Sequence, residues 1–317
     1  MSKMKKTINL LYGVLFLVLV SCNQQGNIAN DESPTRGNAK IACDESFKLL
    51  FDTEIYVFES QYKDAHIHVT YAPENELFKL FFSDSVTAIV TTRTLTKNEE
   101  EGLLKNNIVP KTTPIAYDAL AFIINRENPD TTMVFSKVKK IFTGEYKSWK
   151  DINPTSTLGN LAVVFDNDHS ANVRYINEKF ELQQKFPPTC FSVNSNDEVI
   201  NYVEKNKNAI GIISVNYISD PHDSLTISFL KRIKVLAISS ETDDGSSGYY
   251  YRPYQAYIAN VSYPFIRKVY IINRETFVGP ASGFKQFVAG DIGQRIILKS
   301  GLVPSNMPIR LIQLSNK

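Results

Sequence analysis

The chain is poor in the residues that most often announce an enzyme or a metal protein. Its 317 residues include three cysteines, four histidines and a single tryptophan. No HExxH, no paired cysteines at metal-binding spacing and no GxSxG elbow occur, so the usual signatures of zinc chemistry and of serine nucleophiles are missing. We therefore assign no catalytic residue, no metal ligand and no cofactor. His66 and His68 stand two apart on one strand face, which suits either a metal or an ordinary exposed surface. Charge of one sign is also lacking. Lys and Arg number 35 against 33 Asp and Glu, a net charge of +2, which gives no argument for nucleic acid. No repeat or low-complexity tract is present, and no apolar run reaches the ~20 residues that span a membrane.

The amino terminus is the most strongly patterned region. Lys3, Lys5 and Lys6 precede an apolar run from Ile8 to Val20. A basic start followed by a short apolar core reads as an export signal. It closes on Leu19-Val20-Ser21-Cys22, which resembles a bacterial lipobox, so residues 1–22 are expected to be a lipoprotein signal with Cys22 as the lipidated residue. The alternative is a plain secretory signal cut nearby. Acyl chains contribute about 0.8 kcal/mol per buried methylene, so a lipidated Cys22 would hold the chain on the bilayer without spanning it. Residues 23–38 are polar and read as a flexible tether. No acidic run follows Cys22, which favours the periplasm over the cell surface. Cys43 and Cys190 either pair in an oxidising compartment or remain buried thiols.

Beyond the tether, strands and helices alternate. Lys40–Cys43 reads as a strand, Phe47–Phe58 as a helix, and His66–Tyr71 as a half-buried strand with Ile67, Val69 and Tyr71 on one face. Val86–Val90, Tyr117–Asn125, Leu161–Phe165, Ala209–Ser214 and Lys234–Ile238 read as further strands. Lys97–Lys105, about Ala171–Lys185, and Ser195–Asn206 read as helices. Tyr254–Val261 and Phe265–Asn273 are expected to be returning strands, followed by two carboxyl-terminal helices. This pattern predicts an α/β fold with mostly parallel sheets and helices on both faces. The order predicts two lobes, 39–125 with 250–317 and then 126–249, joined by two strand crossings.

The most informative segment is Val138-Lys139-Lys140-Ile141-Phe142-Thr143-Gly144-Glu145-Tyr146-Lys147-Ser148-Trp149-Lys150-Asp151-Ile152. Val138, Ile141 and Phe142 share a helical face, Gly144 can end that helix in the left-handed conformation, and the sole tryptophan follows. It resembles the IFxGxxxxWxDI signature of periplasmic phosphate-binding proteins. Ile115–Ala121, Asn208–Ser214, Tyr263–Arg267 and Gly293–Pro304 resemble other segments of that family, in the same order. The resemblance implies a two-lobed type II periplasmic binding fold, no catalysis, and an oxyanion held between the lobes by helix amino termini, hydroxyls and an arginine.

Three loops should then supply the site. In Cys43–Phe47, Ser46 matches the family pattern and Phe47 accompanies it. Asp44 and Glu45 do not match, and a carboxylate 4 Å from an anion is repelled by about 1 kcal/mol even in water. Asp44 reads equally well as a helix N-cap. In Thr91-Thr92-Arg93-Thr94-Leu95, Thr91 and Thr92 would donate hydroxyls and Arg93 the charge, with Glu99 or Glu100 beyond. Ala88 stands near a position where some members have an aspartate that accepts a phosphate proton. In Asp166–Arg174 the family's RxxxSGT belongs. Ser170 matches its serine, Asn172 stands for its threonine, and Asp166 reverses the charge of its arginine. Arg174 or His169 would supply the missing charge. Asp118, in the Ile115–Ala121 segment, completes the set. Carboxylates at Asp44, Glu45, Asp166 and Asp168 would suit a ligand with a positive group as well as an anionic one.

The resemblance thus implies a monomeric, lipid-anchored extracytoplasmic protein that delivers a phosphate-like oxyanion to an inner-membrane ABC permease. The alternative is a ligand-poor interaction or sensor module of an envelope complex, with Tyr249–Tyr254 as its contact patch.

Overall fold

A computed structural model describes residues 32–182 and 185–306. The export signal, Cys22 and the tether up to residue 31 lie outside the described residues. From Ser33 on, the described residues form one compact unit. Strand β1 (Arg36–Asp44) begins inside the stretch read as tether. Packing explains this. Ser33 and Arg36 exchange backbone hydrogen bonds, and a Cβ on Gly283 would lie 1.8 Å from the Pro34 carbonyl oxygen.

A 3-10 turn, Glu45–Phe47, leads into α1 (Lys48–Gln61). Then come β2 (Asp64–Ala72), α2 (Glu74–Phe82), β3 (Ala88–Thr91) and α3 (Lys97–Lys105). The sequence reading passes over α2, although Glu74 and Glu76 fill its first turn, where the helix dipole favours acids. Strands β2 and β3 pair with β1 in parallel. His66 and His68 are on the exposed face of β2, and no metal-binding cluster occurs among the described residues.

Strand β4 (Lys111–Asn125) is followed by β5 (Thr132–Met133), α4 (Phe135–Phe142) and α5 (Trp149–Ile152). Val138, Ile141 and Phe142 are buried on α4. Gly144 takes φ +79° just beyond it. Trp149 is fully buried and its indole N–H donates to the Asn208 carbonyl at 2.9 Å. Strand β6 (Ala162–Phe165), α6 (Ala171–Phe180), β7 (Cys190–Ser192), α7 (Asn196–Lys205) and β8 (Ala209–Ser214) follow. Helix α6 stops short of Lys185 because Glu181 adopts the left-handed conformation, φ 53°.

After a 3-10 turn at Val215–Tyr217 come α8 (Ser224–Arg232), β9 (Ile233–Val235) and β10 (Ala237–Ile238). The strand expected at Lys234–Ile238 is thus two strands with different partners, β9 on β4 and β10 on β5. The strand expected at Tyr254–Val261 is instead helix α9 (Gln255–Ala259). Its aromatic residues mimic a strand, but Tyr254, Tyr257 and Ile258 carry helical spacing, and only Ile258 is fully buried. Strand β11 (Ile266–Asn273), α10 (Pro280–Ala289), α11 (Asp291–Lys299) and β12 (Val303–Pro304) complete the fold.

The main sheet runs β2-β1-β3-β11-β4-β8-β6-β7, with β9 and β12 also on β4. Its flanks pair in parallel and its centre antiparallel. Strand β4 joins the halves: Lys111–Ala119 pairs with β11, and Leu120–Asn125 pairs with β8 and β9. Cys43 and Cys190 are both free. Their strands are separated by five others at about 4.8 Å each, far beyond disulfide reach.

Candidate functional site

Residues just past the carboxyl ends of β1, β3, β6 and β8 meet the middle of β4 and β11 in one buried polar layer. Ligands of α/β sheets bind beyond such strand ends. At the centre is Arg267 on β11, directly opposite Asp118 on β4 in the antiparallel register. Its Nε donates to Asp118 Oδ2 at 2.8 Å, and its Nη1 donates to Asn172 Oδ1 at 2.8 Å. The guanidinium lies 5.8 Å from the centroid of the Phe47 ring. Ser214, at the end of β8, donates to Asp118 Oδ1 at 3.0 Å. Asn216 donates to the Ser46 carbonyl at 3.0 Å and so ties the β8 end to the β1 end.

Glu74, at the start of α2, forms a second centre. It accepts from Arg174 on α6, from Thr91 Oγ1 at 3.0 Å and from Thr92 Oγ1 at 3.4 Å. Arg174 Nη2 also donates to Thr92 Oγ1 at 2.8 Å, and Nη1 donates to Glu178. Burial alone would raise the Glu74 pKa, but the Arg174 guanidinium outweighs it and holds the carboxyl below its usual range.

Several atoms of the layer are buried without a hydrogen-bond partner. The donors are Arg267 Nη2, Asn172 Nδ2 and Ser46 Oγ; the acceptors are Asp44 Oδ2, Glu45 Oε1 and Asp166 Oδ2. Asn196, in the first turn of α7, is fully buried with both side-chain atoms unpaired. The neighbouring Asp197 is close enough to act on Glu45. Leaving buried polar atoms unpaired costs free energy, and a concentration of them at one place marks either strain or a missing partner.

The acids respond to this environment. Burial pushes Asp44 up to about 7 against the pull of Arg267. Burial, with Asp166 and Asp44 nearby, pushes Glu45 up to about 7. Burial also raises Asp118, although Arg267 opposes it, and raises Asp166, although the Ser170 hydroxyl and the Asn172 amide oppose it. Arg267 thus acts on three buried carboxyls, Asp44, Asp118 and Asp166, and pairs with Asp118 alone.

The residues singled out in the sequence divide into two shells. Ser46, Phe47, Asp118 and Asn172 lie around Arg267. Asp44 acts as the expected cap, its Oδ1 accepting from the Ser46 N–H at 2.9 Å, while its Oδ2 is spare. Ser170 is committed elsewhere: it caps α6 and donates to Asp166 Oδ1 at 2.7 Å. Thr91 and Thr92 serve Glu74. Arg93, His169 and Arg174 line an outer hollow of about 500 Å³. Arg93 grips Glu99 at 2.7 and 2.8 Å and sits 3.4 Å over the Phe78 ring. Asp168 is exposed and bonded to Ser192. Arg267, Glu74, Ser214 and Asn216 escape the sequence reading as site residues. Arg267 belongs to the Tyr263–Arg267 segment, where nothing local marks it as more than scaffold. A larger groove of about 1040 Å³ lies elsewhere, along Arg126, Leu230, Arg252, Tyr254 and Lys299, and none of the unpaired atoms named above belongs to the residues lining it.

Known proteins share this architecture. The profile of a family described as a PBP superfamily domain matches residues 29–289. The phosphate-binding protein PstS of Staphylococcus epidermidis is 23% identical over 282 residues, covering 88% of this chain and 82% of the relative. A Clostridium perfringens candidate substrate-binding protein of a phosphate ABC transporter, solved with phosphate bound, superposes with a TM-score of 0.70. It is 20% identical, over 84% of this chain and 99% of that one. An ABC-type phosphate transport receptor from Vibrio cholerae superposes with a TM-score of 0.64 at 20% identity, over 84% of this chain and 100% of that one.

Proposed function

The chain belongs to the PBP superfamily domain family, and from that premise we propose that it is a non-enzymatic, extracytoplasmic solute-binding protein for phosphate or a related oxyanion. The similar proteins named above are phosphate-binding or phosphate-transport proteins, which supports the ligand class. The observation that carries the reading is the unpaired Nη2 of Arg267, buried in the same polar layer as the Asn172 amide, which also faces Asp166, and the unpaired hydroxyl of Ser46. Three preorganised donors in a dry site, one of them charged, are what an oxyanion that has shed its water requires. In this reading Arg267, from β11, replaces the arginine that the third loop lacks. Ser46, Phe47, Asp118 and Asn172 form the inner contacts, while Thr91, Thr92, Arg93, His169, Ser170 and Arg174 shape the entrance and the closure.

The mechanism is binding and hand-over. The halves of the sheet flex about β4 and β11 to admit the ligand, and the Glu74–Arg174–Thr92 cluster closes over it. Lobe 1 is 39–125 with 250–317, and lobe 2 is 126–249. The partner is an ABC permease that reads the closed form. Cys22 anchors the monomer to the bilayer by acylation, facing the periplasm; among the described residues no helix is long and apolar enough to cross a membrane.

Titration calorimetry on residues 23–317, which contain the whole compact unit, tests the reading. Phosphate is expected to bind one to one. Arg267→Gln is expected to weaken binding at least a hundredfold, since a charged donor is lost from a dry site, whereas Arg93→Ala should change it less than threefold. No heat with phosphate, sulfate or any phosphoryl compound would overturn the proposal and favour an interaction module. Binding abolished by Arg93→Ala and retained by Arg267→Gln would move the site outward.

A further inference from the structure

The proposed oxyanion accounts for only three of the unpaired atoms named above. A fully ionised oxyanion brings acceptors alone, so it can satisfy Arg267 Nη2, Asn172 Nδ2 and Ser46 Oγ. It leaves Asp44 Oδ2, Glu45 Oε1 and Asp166 Oδ2 without partners. The charge count points the same way. Asp118 already neutralises Arg267 at 2.8 Å, and Glu74 is neutralised by Arg174. What remains beside the anion position is three carboxyls, of which Asp44 and Asp166 are almost completely buried. They share one electrostatic neighbourhood: Asp44 and Glu45 each feel Asp166, Asp44 and Asp166 each feel Arg267, and Asp166 faces the Asn172 amide whose oxygen is bonded to Arg267. In the free protein, raised pKa values relieve part of the repulsion. A bound cation would relieve it more completely, because it would pair with the ionised acids directly.

From this pattern, and resting on the oxyanion reading above, we infer that the site takes a zwitterion: a phosphoryl or phosphonyl group on Arg267, Asn172 and Ser46, linked through a short chain to an ammonium that pairs with Asp44, Glu45 and Asp166. Arg267 Nη2, Asn172 Nδ2, Ser46 Oγ and the three spare carboxyl oxygens then each have a partner of the right kind, and Asn196 is not served by the ligand. The ammonium supplies three donors, one for each spare carboxyl oxygen. Asp166, the residue that reverses the charge of the third loop, becomes a specificity determinant for the cationic end of the ligand.

The test compares three probes by calorimetry on residues 23–317: phosphoethanolamine, ethyl phosphate (of similar shape, without the ammonium) and inorganic phosphate. Phosphoethanolamine is expected to bind at least tenfold more tightly than ethyl phosphate. Asp166→Asn and Glu45→Gln should each reduce that ratio several-fold, and neither should weaken ethyl phosphate binding. Glu45 is partly exposed and holds no side-chain cap, so its variant keeps the test alive if Asp166→Asn fails to fold. Equal binding of the two esters, preference for ethyl phosphate, binding of inorganic phosphate alone, or a ratio unmoved by both variants would overturn the inference and leave the oxyanion reading standing. Silence with all three probes would overturn both.

Discussion

At the scale of single residues, unpaired polarity among the described residues concentrates in one layer, with two exceptions. Thr189 Oγ1 is one, on the residue before β7, whose carbonyl accepts from Val163 within β6. The other is Glu54 on α1, which is fully buried with neither carboxylate oxygen paired. Burial lifts its pKa from the ordinary 4.5 to about 9. A folded-state pKa above the unfolded one means that Glu54 favours folding only while protonated. Its contribution is complete below about pH 4.5 and is lost as the pH climbs toward 9. A tenfold difference in proton affinity between the two states is worth about 1.4 kcal/mol. Glu54→Gln is therefore expected to be more stable than the wild type at pH 8 by about 1–3 kcal/mol and nearly equal to it at pH 4.5. Urea denaturation at the two pH values checks this, and the same difference at both would contradict it. Glu54 shows what a sequence hides. It sits among Thr53, Ile55 and Tyr56 with the look of a surface helix acid, and only tertiary packing reveals that its face is turned inward.

At the scale of elements, most of the fold is readable because periodicity and punctuation agree. Helix α3 is delimited to the residue by the reciprocal Thr96–Glu99 capping box at its start. Helix α4 is delimited by Val138, Ile141 and Phe142 on one side and Gly144 at its end. Misreadings occur where the signals conflict. The aromatic residues of α9 suggest a strand, and the polar segment before Ala39 suggests a tether, yet both are shaped by neighbours distant in sequence. The packing of α7 on β8 gives a sharp test. A Cβ on Gly211 would lie 2.6 Å from Val199 Cγ1 and 2.8 Å from both Ile123 Cγ1 and Val203 Cγ2. Contacts that close force the helix to shift. Gly211→Ala is expected to cost about 1–3 kcal/mol in chemical denaturation, and a neutral effect would show that α7 packs loosely on β8. Because Asn196 opens the same helix at the polar layer, the variant should also weaken ligand binding modestly.

At the scale of the whole molecule, the scaffold and the proposed site are built by different residues. The Trp149 segment, the buried β8 strand and the carboxyl-terminal glycines build the scaffold, and they are local patterns that a sequence displays. The site is not local. Arg267 reaches it only because β11 returns to lie against β4, which places Arg267 opposite Asp118 across 149 positions of sequence. Glu74 meets Arg174 across 100 positions. The third loop, read alone, lacks its arginine, but the folded molecule carries a buried guanidinium at the same layer. Ser46 and Asn172 are singled out by loop patterns. Arg267 is not, because its place opposite Asp118 depends on strand register alone.

A structure of the 23–317 protein crystallised with phosphate is the most direct measurement. The account predicts phosphate density beside β11, its oxygens within about 3.2 Å of Arg267 Nη2, Asn172 Nδ2 and Ser46 Oγ. Density confined to the outer hollow near Arg93 and His169, with Arg267 Nη2 still unpaired, would contradict it.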